Sequence, residues 1–505
     1  MRLAGLDIGT TGCKCTVFDE SGSELGKAYR DYPVKRRVGG HEIDVIAMLE
    51  SVYEVLSEMA TDFPDIAGIG VTSFGETFVC LDENGQVLAN AMLYTDPRGK
   101  DECQWLIDEL GEKHIAQITG VAPHEMYGLP KIMWIKKNKP DVFCKTKHIL
   151  QMEDFVIFSL TGEKIIDYSL ATRSMAFDIH TLDWSNEILQ VAGIDKELFS
   201  KPVPTGTLVG QITEAAAKKT GLDKTTRIVA ISQDQVSAAV GAGAFSGDIG
   251  VDGAGTVQCL TPIYDSIPDV EKMMPGKYVI VPYVVSGKYV TYAFSYTGGA
   301  LIKWCTDNIA KKENEIALTE GISVNTYLEK QYEAERISDG LDPEGPSGLL
   351  VLPHFAGAAT PYMDTGSKGV IVGMTTATTP ADIYRACMEG VCYEMYLNYI
   401  YITKAGAAPK KLHATGGGAK SSVWMQMKAD ILGIPIVALK TVDAGTVGSA
   451  MLTGIALGVF KNIEDAANHM VEQVATYMPR EKYHELYMEE YKKFEKLYGA
   501  VRDLM

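Results

Sequence analysis

Three short elements rich in glycine and threonine could do phosphate chemistry: Asp7-Ile8-Gly9-Thr10-Thr11-Gly12, Asp252-Gly253-Ala254-Gly255-Thr256 and Ala414-Thr415-Gly416-Gly417-Gly418-Ala419. Each follows or ends a short apolar run that reads as a strand. Glycine lets the backbone turn tightly and approach a phosphate, and threonine adds a hydroxyl donor. An aspartate on the strand beside such a loop can hold a hydrated Mg²⁺, which makes Asp7 a metal candidate. Singly, the first element could be a plain hairpin turn and the third a flexible connection. Three in this order, two with nearly the same pattern, read as one nucleotide site built from both halves of the chain.

Other residues could act on a small hydroxylated molecule. Asp234, in Ile231-Ser232-Gln233-Asp234-Gln235, follows a strand and starts a helix. It is either the helix N-cap or a carboxylate placed to accept a hydroxyl proton, and the two roles are compatible. Gln235 beside it is a further hydroxyl partner. Lys14 either adds charge to the first loop or is a solvated strand lysine. Strand residues Gly70-Val71-Thr72-Ser73 run into Phe74-Gly75-Glu76-Thr77. Glu76 could accept hydrogen bonds from two adjacent hydroxyls, or be a surface carboxylate at a strand end. In Tyr94-Thr95-Asp96-Pro97-Arg98, Tyr94 could stack on a sugar's apolar face. Asp96 and Arg98 either bind hydroxyls or brace that loop.

Strands over 2–8, 13–19 and 24–32, a helix over 44–60, and strands over 66–72 and 77–81 would position the first group. This order gives a mixed sheet rather than a dinucleotide-binding βαβ repeat. His41-Glu42-Ile43-Asp44 reads as the cap of the first helix. The pattern recurs. A strand over 228–231 and a helix over 235–241 are followed by strands over 249–251 and 257–261, a helix over 380–403, a strand over 411–415 and a helix over 421–432. This duplication puts a domain boundary near 244–247, giving domains 1–245 and 246–505; the run Gly241-Ala242-Gly243-Ala244 is consistent with a hinge. Residues 306–345 read as a charged surface helical segment. Tyr483, Leu486, Tyr487, Tyr491 and Phe494 have the spacing of an amphipathic C-terminal helix.

The chain has 505 residues, enough for two or more domains. Its 46% hydrophobic and 22% charged content is that of an ordinary globular protein. A net charge of −18 argues against non-specific binding to nucleic acid or an anionic membrane surface. The nine cysteines and nine histidines are dispersed, without zinc-ligand spacing. Cys13 and Cys15 share one strand face. No signal-peptide core opens the sequence and no run approaches about 18 apolar residues, so a cytoplasmic protein with reduced thiols is expected.

With these residues in hand, the chain resembles the FGGY family of carbohydrate kinases over essentially its whole length. Leu6-Asp7-Ile8-Gly9-Thr10-Thr11 is similar to the family's phosphate loop, and Gly416-Gly417-Gly418-Ala419 to its adenosine loop. Met126-Tyr127-Gly128-Leu129-Pro130-Lys131-Ile132-Met133-Trp134 is close to the first family signature, departing at Gly128, where Pro, Ser or Thr is usual. Gly369 to Met374, with Asp382, Ala386 and Glu389, is close to the second, departing at Cys387, where a small or aliphatic residue is usual.

The resemblance implies an α/β fold of two RNase H-like domains, as in actin-like ATPases, around a deep interdomain cleft. It implies ATP and Mg²⁺ as cofactors, a small sugar or polyol as substrate, and leaves a homodimer open. It places Gly9, Thr10, Thr11, Gly12, Lys14, Gly255, Thr256, Gly299, Gly418 and Ser422 around the nucleotide. Asp234 becomes the general base and, with Asp7, part of the metal surroundings; Phe74, Gly75, Glu76, Tyr94, Asp96 and Gln235 line the substrate end. At the 75–76 turn, xylulose-type members carry Met-His and glycerol-type members Arg-Glu. Gly75-Glu76 keeps only the latter's Glu, and Phe74-Gly75 is closer to deoxy-sugar members. A ketose such as xylulose is the first substrate expected, with glycerol, erythritol, deoxy-ketoses and gluconate as alternatives. An actin-like nucleotide switch and a silent sugar sensor are the rivals from other classes.

Overall fold

The computed structural model describes residues 1–37, 39–441 and 443–505. Two six-stranded sheets carry the architecture. The first contains β1 (Arg2–Ile8), β2 (Gly12–Phe18), β3 (Glu24–Asp31), β4 (Ile66–Ser73), β5 (Thr207–Gln211) and β6 (Arg227–Gln233). The second contains β7 (Ile249–Ala254), β8 (Gln258–Thr261), β9 (Ala293–Ser295), β10 (Lys411–Thr415), β11 (Ile436–Leu439) and β12 (Gln473–Tyr477). Their orders are β3-β2-β1-β4-β6-β5 and β9-β8-β7-β10-β11-β12. In each, an antiparallel meander leads into three parallel strands and a final antiparallel edge. The duplicated sequence pattern is thus a duplicated sheet. Only the last edge differs: β5 precedes its neighbour in the chain, whereas β12 follows its own.

Central strands β1 and β4 are covered on both faces, which is why they read as nearly unbroken small and apolar residues rather than as an alternation. The helices used below are α1 (Val45–Asp62), α2 (Asp234–Gly241), α3 (Gly299–Asn308), α4 (Val324–Ser338), α5 (Pro380–Lys404), α6 (Ser422–Leu432), α7 (Ala444–Ala456) and α8 (Glu481–Val501). Asp44 caps α1, accepting from the Ile46 and Ala47 amides at 3.2 Å each. Val45, Met48, Val52 and Leu56 form its buried stripe. Thr379 and Asp382 form a reciprocal capping box on α5. Helix α8 buries Tyr487, Tyr491, Phe494 and Leu497, while Tyr483 and Leu486 stay half-exposed. No helix among the described residues is long and apolar enough to cross a membrane.

The suggested hinge needs correction, and one small sheet was not expected. Helix α7 lies beyond the expected boundary yet packs across the first sheet: a Cβ on Gly5 of β1 would sit 2.3 Å from the Thr446 carbonyl oxygen. It also meets α2 backbone to backbone, since a Cβ on Gly448 would sit 2.0 Å from the Ser237 carbonyl oxygen and one on Gly241 1.9 Å from that of Ala444. The run Gly241 to Ala244 is therefore packed rather than a free hinge. The Ala242 carbonyl is bonded to His413 Nδ1 at 2.7 Å, and that of Ala244 accepts from Tyr283 Oη at 2.6 Å. The short strands Val34–Arg37, Gly40–Ile43 and Ala91–Met92, not expected as one sheet, pair and carry the Tyr94–Arg98 turn.

Candidate active site

The β1–β2 turn is closed from within. Gly9 N donates to Gly12 O at 2.9 Å, and Tyr32 Oη donates to the Gly9 and Gly12 carbonyls. With those carbonyls occupied, the Thr10 and Thr11 side chains remain on the accessible side of the turn. Asp7 and Lys14 are register partners across β1 and β2, so their side chains meet. Lys14 Nζ lies 3.2 Å from Asp7 Oδ2 and 2.8 Å from Asp443 Oδ1, in the residue preceding α7. Lys14 is thus turned inward. Burial alone would lower its ammonium, but the Asp7 and Asp443 charges outweigh this and hold it above the usual value. Asp7 is raised by burial, against the pull of Lys14.

Asp7 Oδ1 is buried and has no hydrogen-bond partner. An orphaned carboxylate oxygen of this kind suits a water on a bound cation. Among the described residues no three carboxylate, histidine or cysteine side chains gather into a metal cage. Mg²⁺ would need no such cage, since it keeps several waters and uses one or two carboxylates together with substrate phosphates.

The second-sheet loops interlock. Gly299 N donates to Gly255 O at 2.9 Å, and the Gly298 and Ala300 amides donate to Thr256 O at 3.0 Å each, so the Gly255-Thr256 turn caps the start of α3. Gly416 adopts φ 88°, and a Cβ there would lie 2.7 Å from the Ala254 carbonyl oxygen; only glycine fits. Gly418 packs against Trp424 and Ala254. Gly255, Thr256, Gly299 and Gly418 therefore converge at the end of β7. Ser422 is exposed in the first turn of α6, while Ser421 caps that helix and donates to Glu329 Oε1 at 2.9 Å. Asp252, the counterpart of Asp7 in the repeat, is sealed away: Lys428 Nζ lies 2.7 and 2.9 Å from its oxygens, and both side chains have zero exposure.

β1, β4 and β6 end at one level, Ile8 and Gln233 both pairing with Ser73. Asp7, Glu76 and Asp234 consequently emerge along one sheet edge, at the carboxyl ends of parallel strands. Asp234 opens α2, but Gln233 takes the cap: its Oε1 accepts from Gln235 N at 2.9 Å, and its Nε2 donates to Asp234 Oδ1. The capping role considered for Asp234 thus passes to Gln233, whose part was not anticipated. Burial pushes the Asp234 carboxyl up to about 7, with Asp7 and Glu76 adding and Arg173 opposing. The Gln235 side chain makes no hydrogen bond among the described residues and lies half-buried beside Asp234.

Glu76 is buried with φ 66°, a conformation uncommon for a non-glycine residue. Arg173 Nε and Nη2 both reach its Oε1. The guanidinium sits between the Tyr127 and Tyr292 rings, 5.1 and 5.4 Å from their centroids. Gly75 makes room for this arginine: a Cβ there would lie 2.8 Å from Arg173 Cγ. Phe74 belongs to the first-sheet core, so the pair serves by shape rather than by polar contact. Tyr94 is half-buried; burial pushes its phenol up, with Glu76 and Asp234 adding and Thr10 opposing.

Asp96 is a correction. It is 1% exposed, and its oxygens accept from Arg98 N, Nε and Nη2 and from His41 N at 2.6–2.9 Å. It braces the loop and has no oxygen left for a substrate. Gly128, the departure from the first signature, is required because the Phe78 ring occupies the place of a Cβ. Arg173 and Tyr292 were not anticipated; no spacing in the sequence marks them.

Family models for the N-terminal and C-terminal domains of the FGGY family of carbohydrate kinases match residues 3–241 and 269–457. A xylulose kinase of Bacillus subtilis is 27% identical, covering 99% of this chain and 97% of its own. A gluconokinase of the same organism is 29% identical, covering 95% and 92%. The crystal structure of a xylulose kinase from Lactobacillus acidophilus superposes with a TM-score of 0.87 at 23% identity, covering 99% and 98%. With both family models matched in order, and a doubled sheet behind one shared site, the chain belongs to the FGGY family of carbohydrate kinases.

Proposed function

We propose that the protein transfers the γ-phosphoryl group of ATP to a hydroxyl of a small ketose or polyol, with five-carbon ketoses such as xylulose as the first candidates. Glycerol, erythritol, deoxy-ketoses and gluconate are the alternatives. One observation carries the reading: Asp234, its carboxyl raised to about 7, stands at the same sheet edge as Asp7, whose buried Oδ1 is unpartnered. A carboxyl at that value is basic enough to take a hydroxyl proton near neutrality, where about half of it is ionised.

Phosphoryl transfer needs little covalent help and much positioning. In this reading Gly9, Thr10, Thr11, Gly12 and Lys14 hold phosphate oxygens from the first domain, and Gly255 and Thr256 from the second. Gly299, Gly418 and Ser422 flank the nucleoside. Asp7 would hold Mg²⁺ through water, with Asp234 nearby. The ion, when bound, supplies charge neutralisation at the phosphates. Asp234 receives the hydroxyl proton, while Gln233 fixes which of its oxygens is engaged by donating to Oδ1. Glu76, Tyr94 and Gln235 orient the sugar. Closure of the two domains would exclude water that could otherwise take the phosphoryl group.

Mg·ATP turnover across ketoses, polyols, aldoses and sugar acids, read as ADP release, tests the reading. Strong stimulation by one sugar is expected. Uniformly unstimulated ATP hydrolysis by folded, ATP-binding protein would favour a nucleotide switch or a sensor instead.

A further inference from the structure

The floor of the cleft holds polar groups that phosphoryl transfer does not use. Arg173 is 4% exposed. Its Nε and Nη2 are committed to Glu76 Oε1, but Nη1 is buried with no hydrogen-bond partner. Tyr292 is contributed by the segment leading into β9, on the other side of the cleft. Its hydroxyl is also buried and unpartnered, and its ring lies against the Arg173 guanidinium. Glu76 Oε2 makes no hydrogen bond among the described residues. Buried donors are rarely left unpaired. Two of them in contact, beside the proton acceptor, point to a partner that arrives with the substrate.

The charges around this floor restrict that partner. Asp7, Glu76 and Asp234 supply three carboxylates. Arg173 is committed to Glu76, Lys14 to Asp7 and Asp443, and Arg98 to Asp96 and Glu42. Lys131 is spent on the Glu125 and Met126 carbonyls. Lys14, Arg98 and Lys131 thus direct their hydrogen bonds away from this floor, and Arg173 keeps only Nη1 free. A hydroxyl both donates and accepts, so it can give its proton to Glu76 Oε2 while accepting from Arg173 Nη1 or Tyr292 Oη. A carboxylate only accepts, and would face like charges.

Resting on the kinase reading, we propose that Arg173 and Tyr292 are specificity-determining residues which, with Glu76, read hydroxyls of a neutral ketose or polyol and exclude sugar acids. The substrate class is therefore uncharged.

The test uses the full-length enzyme, with calorimetric sugar binding in the absence of nucleotide and ADP release in its presence. Neutral ketoses and polyols are compared with aldonates of the same carbon number. The wild type is expected to favour the neutral member by about 100-fold or more in kcat/KM. Tyr292→Phe is expected to weaken neutral-sugar binding about tenfold, with the KM for ATP unmoved. A deoxy analogue lacking the hydroxyl that is read should lose the same factor in the wild type and nothing further in Tyr292→Phe. Glu76→Gln should narrow the neutral-to-aldonate gap at least about tenfold. Preferred turnover of an aldonate would overturn the proposal while leaving the kinase reading intact. Unchanged sugar binding in Tyr292→Phe, with the deoxy penalty still present, would overturn it as well. Absence of stimulation by any sugar would remove the kinase reading and this inference together.

Discussion

Lys14 and Asp443 form an ion pair at 2.8 Å that ties the first phosphate loop to the start of α7, a helix from near the far end of the chain. The same ammonium reaches Asp7 at 3.2 Å. One cation therefore sits between Asp7 and the helix that locks the two halves together. A phosphate entering the loop would meet that ammonium already held in place, with little side-chain freedom left to lose.

Lys14→Met should accordingly raise the KM for ATP at least about tenfold, the value of one charge-assisted hydrogen bond, with a smaller effect on the KM for sugar. Steady-state titration of each substrate separates the two. An ATP KM within about twofold of wild type would mean that Lys14 serves only as a brace for Asp7.

The pH dependence of turnover follows from Asp234. Burial raises its carboxyl to about 7, and only the ionised form accepts a proton. The kcat/KM for sugar should therefore fall below neutral pH, approaching about tenfold per unit on the acid limb. Profiles from pH 5.5 to 8.5 at saturating Mg·ATP would show this. A flat acid limb down to pH 5.5 would contradict the assignment.

Stability should move the other way with pH because of a buried acidic group beneath the site. Burial pushes Asp154 up to about 8 and Asp167 to about 6, and raises Glu153 well above the usual range. Glu153 Oε1 and Asp154 Oδ1 are unpartnered, while Ser200 Oγ donates to Asp154 Oδ2 at 2.6 Å. A carboxyl raised on folding contributes fully below its unfolded value and loses that contribution as pH rises through its folded value. Denaturation midpoints should therefore fall from pH 5.5 to 8.5, each realised unit of displacement being worth about 1.4 kcal/mol. Asp154→Asn keeps the shape without the charge and should flatten this slope, as urea titrations at several pH values would reveal. An unaltered slope would mean that Asp154 stays ionised in the folded protein.

Much of the frame was legible because it is local. Periodicity and glycine turns marked β1 to β4, β6 to β8 and β10, and Asp44 and the stripe after it marked α1, while the outer strands β5, β9, β11 and β12 went unmarked. What stayed hidden depends on long-range partners. Asp7 and Asp252 occupy equivalent places in the repeat, and only Lys428 decides that the second is sealed in the core. Glu76 reads as a lone carboxylate until Arg173 folds onto it. Helix α7 is small and apolar all along, and nothing in such a pattern says which sheet it will cover. Asp96 could bind or brace, and the choice was made by the His41 amide, which the short outer strands deliver.

The most direct measurement is sugar-stimulated ADP release by Asp234→Asn beside the wild type, with ATP binding measured calorimetrically on both. The expected result is a loss of about 10²–10⁴-fold in stimulated turnover, the usual contribution of a positioned base, with ATP affinity changed only a few-fold. Retention of stimulated turnover by the variant would remove Asp234 as the proton acceptor and contradict the account at its centre.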